Sequence, residues 1–177
     1  MDISKSGTPI NPKLRAFSEA IGVMEGYNVT EAQAKARGIH FPTLPQLLNN
    51  PGDLIFVGQH QAVPYAVKGA DGRTRVYCKF PDIETGFAAC DFQVSLFAGR
   101  NLTVQQTINK WAPTDDGNNP NSYTAGLCKI LNCKSTDLVA KVISMTSESL
   151  SVAQMTFHDA VTPGRNAFPT SPIKTEA

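Results

Sequence analysis

Apolar residues recur at helical spacing near the start of the chain. Four of them mark one face for burial: Leu14, Phe17, Ile21 and Met24. Asn11-Pro12 provides a cap followed by a proline at the first helical position, and Gly26 lets the chain turn away at the other end. The pattern therefore predicts a first helix from about Pro12 to Glu25.

The same periodicity and cap signals predict further helices. The second begins after Thr30, whose capping-box partner is Gln33, and it ends at Gly38. Pro42 and Pro45 favour an irregular segment after it. The remaining predicted helices span about residues 82–99, 103–111, 121–131, 138–145 and 149–160.

Three short apolar segments between these helices have the character of β-strands. They cover residues 54–57, 65–67 and 75–78, and Asp71-Gly72 between the last two is a strong hairpin signal. A sheet this small needs helices to pack on. We therefore predict an α+β fold, mostly helical, with a small antiparallel β-sheet.

The composition of the 177-residue chain fits one globular domain. Proline and glycine punctuate its start and periodicity fades near its end, so we predict an arm at 1–12, a domain at 13–162 and a tail at 163–177. The net charge of +1 disfavours a nucleic-acid partner. No segment predicts a membrane span, and residues 1–7 lack the apolar core of a signal peptide.

The cysteines permit two disulfides, although the sequence does not fix their connectivity. The locally plausible pairs are Cys78 with Cys90 and Cys128 with Cys133. Free buried thiols are the other interpretation. A zinc site would need closer cysteine pairs or a nearby histidine, and a cysteine nucleophile likewise lacks a histidine neighbour. We therefore predict no metal and no cofactor, since the polar loop 114–120 also lacks the ligand spacing of a calcium site.

Glu25 is the leading candidate for catalysis. It stands beside the apolar face of the first helix, at the C-terminal, negative end of that helix. Burial and the helix dipole both disfavour a charged carboxylate there. A glutamate that keeps its proton at neutral pH can act as a general acid. The alternative is that Glu25 is a solvated residue that closes an ordinary helix.

A second informative segment is Asn49-Asn50-Pro51-Gly52-Asp53-Leu54, which has the composition of a tight turn. It is either that turn alone or a polar loop that offers amides and a carboxylate to a hydroxyl-rich ligand. Trp111 lies at helical spacing from Ile108, which favours a place in the core over a ligand platform. Tyr123 either closes the core with its hydroxyl hydrogen-bonded or faces a cleft.

The order of these motifs resembles a lysozyme-like family found in phage lysins, virion-associated proteins and delivered bacterial cell-wall effectors. The matching segments are Glu25-Gly26-Tyr27, Asn49-Asn50-Pro51-Gly52-Asp53-Leu54, Phe80 with Gly86, Trp111-Ala112-Pro113, Asp116-Gly117-Asn118-Asn119 and Tyr123. The resemblance covers about residues 14–145. The sequence departs from the family pattern in the long spacer between Tyr27 and Asn49, which affects how Glu25 and Asp53 are placed.

The resemblance implies a two-lobed domain whose groove binds peptidoglycan glycan strands. It implies cleavage of the β-1,4 bond between N-acetylmuramic acid and N-acetylglucosamine, with Glu25 as general acid and base. In a muramidase a second carboxylate acts as well, and the candidates are Asp53 and Glu84, with Asp116 behind them. In a lytic transglycosylase the muramic 6-hydroxyl attacks and one glutamate serves alone. The implied substrate-binding residues are Tyr27, Asn50, Phe80, Asn119 and Tyr123.

This activity would place an antimicrobial hydrolase in the periplasm or the extracellular cell wall. Because no signal peptide is evident, we expect delivery by lysis, by a particle or by a secretion system. A delivery particle and an immunity protein are the further partners that the resemblance implies. The competing hypothesis is a non-catalytic virion or injection-particle protein that has a structural or wall-binding role.

Overall fold

A computed structural model of the protein describes residues 11–69, 71–114 and 118–144. Within these ranges the structure consists of helices and one antiparallel pair of strands, a combination compatible with the predicted α+β class. The helices are α1 (Pro12–Met24), α2 (Glu31–Arg37), α3 (Leu44–Leu47), α4 (Ile83–Gly99), α5 (Val104–Trp111), α6 (Pro120–Leu131) and α7 (Val139–Val142). The strands are β1 (Val63–Lys68) and β2 (Thr74–Lys79). None of the helices described is long and apolar enough to cross a membrane.

Local cap chemistry fixes the first two helices as predicted. The Asn11 side chain accepts hydrogen bonds from the backbone N–H groups of Lys13 and Leu14, at 2.9 and 3.2 Å. Thr30 and Gln33 form the reciprocal capping box at the start of α2. These bonds supply partners for backbone N–H groups that a helix start otherwise leaves unpaired.

The segment after α2 is less irregular than the sequence indicated. A short helix, α3, forms there, and Pro45 lies in its first turn, where a missing N–H costs no hydrogen bond. The Gln46 side chain accepts a hydrogen bond from the Thr43 N–H at 2.9 Å, which supports the helix start. The prediction of an irregular segment was therefore wrong at Leu44–Leu47.

The hairpin is present, but the third predicted strand is not. β1 and β2 pair from Val63↔Lys79 to Lys68↔Thr74, and residues 69–73 connect them. Residues 54–57 contribute only one isolated bridge, between Ile55 and Tyr77. This bridge rests on two hydrogen bonds of 2.8 Å, from the Phe56 N–H to the Val76 carbonyl and from the Cys78 N–H to the Leu54 carbonyl. The Gln59 side chain bonds the Val57 N–H and the Ile55 carbonyl on the opposite edge of the segment, at 2.7 and 2.8 Å.

The core lies between the helices. α1 packs on α4 and α6, α5 packs on α6, and α4 packs on α7. The largest fully buried apolar side chains among the described residues are Phe17, Ile21, Leu48, Phe80, Val94, Phe97, Val104, Ile108, Leu127, Val139 and Ile143. This packing fixes the C-terminal end of α1, which carries Glu25, against α6.

Several predicted features lie partly or wholly outside the described residues. These are the arm up to residue 10, the loop residues Asp115, Asp116 and Gly117, Met145, the helix at 149–160 and the tail at 163–177. Within the described residues, α6 begins at Pro120 after an Asn119 cap, one residue earlier than expected.

Candidate active site

Glu25 is the C-cap residue of α1, and its side chain forms a hydrogen bond with α6. Its backbone N–H donates to the Ile21 carbonyl at 2.9 Å, which continues the helix ladder to its last residue. Its Oε1 accepts a hydrogen bond from the hydroxyl of Tyr123 at 2.8 Å. Tyr123 is 9% exposed, so this bond lies at the edge of the core. It joins two residues that are 98 positions apart in the chain.

The surroundings of Glu25 favour its protonated form at neutral pH. Burial raises the pKa of Glu25 to about 7, the Tyr123 hydrogen bond lowers it, and the nearby charge of Asp53 raises it. Burial and the Glu25 charge raise the pKa of Tyr123 well above its ordinary value, so the phenol remains a hydrogen-bond donor. A carboxyl group with a pKa of about 7 can release and regain a proton under physiological conditions.

A cleft of about 480 Å³ opens beside Glu25. It lies between the end of α1, the segment from α2 to α3, and β1. Its lining residues are Met24, Glu25, Gly26, Val29, Arg37, Ile39, His40, Pro42, Thr43, Leu44, Pro45, Leu47 and Val67. The candidate acid therefore lies at the wall of a concave surface, where a ligand could reach it.

Asp53 is the second carboxylate at the site. It adopts a left-handed backbone conformation with φ of 50°, and its N–H donates to the Asn50 carbonyl at 3.0 Å. Burial raises the pKa of Asp53 to about 6. Its Oδ1 is buried without a hydrogen-bond partner among the described residues. A buried carboxylate oxygen without a donor is costly, and a functional role is one explanation for it.

Asn50 holds the turn that carries Asp53. It is fully buried, its Nδ2 donates to the carbonyls of Leu54 and Cys78 at 3.0 Å each, and its Oδ1 accepts from the Leu54 N–H at 2.9 Å. All these bonds are internal, so Asn50 connects the turn to β2. We therefore do not count it among the groups that face a ligand.

Trp111 presses on the other side of the same turn. Its indole N–H donates to the Gly52 carbonyl at 3.2 Å, and it also lowers the pKa of Glu25. A Cβ on Gly52 would lie 2.8 Å from the Trp111 ring and would also overlap the Cys90 sulfur. The sequence favoured a core role for Trp111, and the structure adds this contact with the site.

Glu84 is not brought to the site. Its carboxylate is 73% exposed and pairs with the Arg15 guanidinium at 2.9 Å. Arg15 precedes Glu25 by ten residues on α1, a distance of about 15 Å along the helix axis. Asp53, rather than Glu84, is the carboxylate whose charge raises the pKa of Glu25.

The remaining candidates for substrate binding are dispersed. Tyr27 is half-buried and packs edge-on against Phe87, with 5.8 Å between the ring centroids. Phe80 is 2% exposed and belongs to the core. Asn119 is exposed, and its Oδ1 accepts from the Ser122 N–H at 3.1 Å as the cap of α6. Asp116 lies outside the described residues.

The four cysteines are free thiols in the structure, so neither predicted disulfide is formed. Cys78 and Cys90 are buried, and burial raises the pKa of each thiol. Cys128 and Cys133 are half-buried, with their thiols in hydrogen-bonding contact at the end of α6. Across the described part of the chain, no three cysteine, histidine or acidic side chains gather as a metal site would require.

Comparison with protein-family models, with curated proteins and with solved structures finds no match for this chain. The function is therefore inferred from the chemistry of the site. The sequence predicted Glu25, Asp53 and Tyr123 as site residues, and the structure brings these three close to one another. Sequence reasoning missed Arg37 and His40, which line the cleft but lie in a segment without a distinctive motif.

Proposed function

We propose that the protein cleaves peptidoglycan glycan strands between N-acetylmuramic acid and N-acetylglucosamine, with Glu25 as the general acid. The observation that carries this proposal is the Glu25 carboxyl group, which is half-buried, has a pKa of about 7 and lies at the wall of the 480 Å³ cleft. A glycosidic oxygen is a poor leaving group unless it is protonated, and a carboxylic acid at neutral pH supplies that proton.

Glu25 can act first as a protonated acid and then, as a carboxylate, as a base. As an acid, it donates its proton to the glycosidic oxygen while the sugar develops oxocarbenium character. The carboxylate left behind keeps the hydrogen bond from Tyr123, which stabilises its negative charge. That carboxylate can then accept a proton from the attacking nucleophile.

Asp53 is the candidate for the second carboxylate of a muramidase. Its pKa of about 6 lies below that of Glu25, so between these values Asp53 is charged while Glu25 keeps its proton. One charged and one protonated carboxyl group is the combination that glycoside hydrolysis uses. In a lytic transglycosylase the muramic 6-hydroxyl attacks instead, and Asp53 is not required as a nucleophile or base.

The direct test is the loss of turbidity of a peptidoglycan suspension. We expect clearing by the native protein and a loss of at least about a hundredfold in Glu25→Gln, because general acid catalysis contributes that much or more. Glu19→Gln is the matched control, since Glu19 is exposed on the same helix. Equal clearing by native protein and Glu25→Gln would remove Glu25 from the mechanism. No clearing by either would favour the non-catalytic hypothesis.

Mass spectrometry of the released fragments distinguishes the two reactions. An anhydro-sugar product is one water lighter than a reducing-end product. If Asp53 acts in hydrolysis, Asp53→Asn should abolish the reducing-end product. If the reaction is a transglycosylation, the anhydro product should persist in that variant.

A further inference from the structure

The cleft beside Glu25 carries a positive group that the proposed chemistry does not use. Arg37, in the last turn of α2, and His40, just beyond that helix, both line it. Among the described residues Arg37 has no acidic partner within ion-pair distance, whereas Arg15, Arg73 and Arg75 each have one. A guanidinium without a carboxylate partner at the wall of a cleft is well placed to bind an anionic ligand.

The rest of the lining is mainly apolar. Most of the wall is aliphatic, with Val29, Ile39, Leu47 and Val67 as examples, and no phenylalanine, tyrosine or tryptophan is present among the described lining residues. The hydroxyl of Thr43 donates to the Gly26 carbonyl at 3.1 Å. Beyond the sugar next to Glu25, this wall therefore favours a part of the ligand that carries apolar groups.

The exposure of these aliphatic residues points in the same direction. Ile39 and Leu47 are 46% and 51% exposed, so the wall offers apolar surface to a ligand instead of closing on itself. Methyl groups gain free energy when they are buried against such a surface. The cleft thus combines apolar walls with one positive group and the candidate acid.

We propose that this cleft binds the peptide stem attached to N-acetylmuramic acid, with Arg37 pairing with a stem carboxylate. The inference rests on the proposed function, because it assigns to Glu25 the bond next to the stem-bearing sugar. Short stems of alanine-type residues and free carboxylates match the wall in both respects, since their methyl groups meet the aliphatic residues and their charge meets Arg37. Arg37 then determines specificity for stem-bearing strands and takes no part in proton transfer.

The test measures binding in a Glu25→Gln background, so that turnover does not interfere. The two ligands are soluble glycan strands that carry stem peptides and the same strands stripped by an amidase, with the lactyl carboxylates exposed by the amidase converted to amides. We expect Glu25→Gln to bind stem-bearing strands more tightly than stripped strands. Adding Arg37→Gln should weaken the binding of stem-bearing strands about two- to fivefold. Binding of stripped strands should not change.

Lys35→Gln is the matched control, because Lys35 occupies the same last turn of α2 and does not line the cleft. It should leave binding of both ligands unchanged. An equal effect of Arg37→Gln on both ligands, no effect on either, or no binding to either would overturn the stem-binding proposal. Clearing that depends on Glu25 would stand in each of these cases. Conversely, clearing that survives Glu25→Gln would overturn the proposed mechanism. The different effects of Arg37→Gln on stem-bearing and stripped strands would still stand in that case.

Discussion

Replacing Glu25 by glutamine should make the protein more stable at alkaline pH. In the unfolded chain this carboxyl group titrates near its ordinary pKa of 4.5, whereas burial raises the pKa to about 7 in the folded protein. Between these values the folded state binds a proton that the unfolded state has released. The free energy of unfolding therefore falls as the pH rises through this window.

The size of the effect follows from the difference between the two pKa values. Each pKa unit corresponds to about 1.4 kcal/mol, so ionising Glu25 in the folded protein costs about 3 kcal/mol at pH 8. Glutamine keeps an oxygen that can accept the Tyr123 hydrogen bond and carries no charge. The substitution therefore removes the cost of ionisation without opening a cavity or leaving the phenol unpaired.

Urea unfolding at pH 4 and pH 8 measures this cost without any assay of activity. At pH 4 the native protein and Glu25→Gln should have similar free energies of unfolding, and at pH 8 the variant should be more stable by about 3 kcal/mol. Glu19→Gln should stay within about 0.5 kcal/mol of the native protein at both pH values. A stability difference between native protein and Glu25→Gln that does not change with pH would refute the raised pKa, and with it the reason for proposing a general acid.

Two further predictions concern Tyr123 and the cysteines. Tyr123→Phe removes a hydrogen bond that lowers the pKa of Glu25, so that pKa should rise and the fall in stability should extend to higher pH in the same urea series. If the pH range over which stability falls were the same in Tyr123→Phe and the native protein, the role given to the Tyr123 hydroxyl would be contradicted. In native protein, a thiol reagent followed by mass spectrometry should modify Cys128 and Cys133 before the buried Cys78 and Cys90, which should react only on unfolding. Rapid labelling of Cys90 would contradict its packing under Gly52.

The parts of the fold that the sequence predicted best are those that depend on neighbours along the chain. The Asn11 cap, the Thr30–Gln33 box and the Asp82 cap of α4 all join groups two or three residues apart. The hairpin likewise follows from Asp71-Gly72. At residues 54–57 the prediction was wrong in extent, because pairing with β2 is limited to the single bridge between Ile55 and Tyr77.

The candidate site could be predicted only in part, because its properties depend on distant contacts. The sequence indicated Glu25 from its position at the end of an apolar helix. The phenol that binds it, the charge of Asp53 and the cleft come from α6, the turn at 49–53 and the α2–α3 segment. Glu84 was a candidate for the second carboxylate and Asn50 belonged to a matched motif, yet Glu84 is an exposed partner of Arg15 and Asn50 is fully buried.

A third carboxylate, Asp91, can be compared with Glu25 and Asp53 to decide whether that pair serves structure or function. Asp91 is a buried carboxylate with a structural explanation, since it is 3% exposed and pairs with Arg15 at 3.0 Å between α1 and α4. Burial raises the pKa of all three carboxyl groups, but Glu25 and Asp53 form no ion pair among the described residues. Two unpaired carboxyl groups close enough to interact reduce stability at neutral pH and improve no packing that apolar residues could not provide. Such a cost is expected where the proton itself is used, which is why we interpret this pair as the site of chemistry and Asp91 as part of the framework.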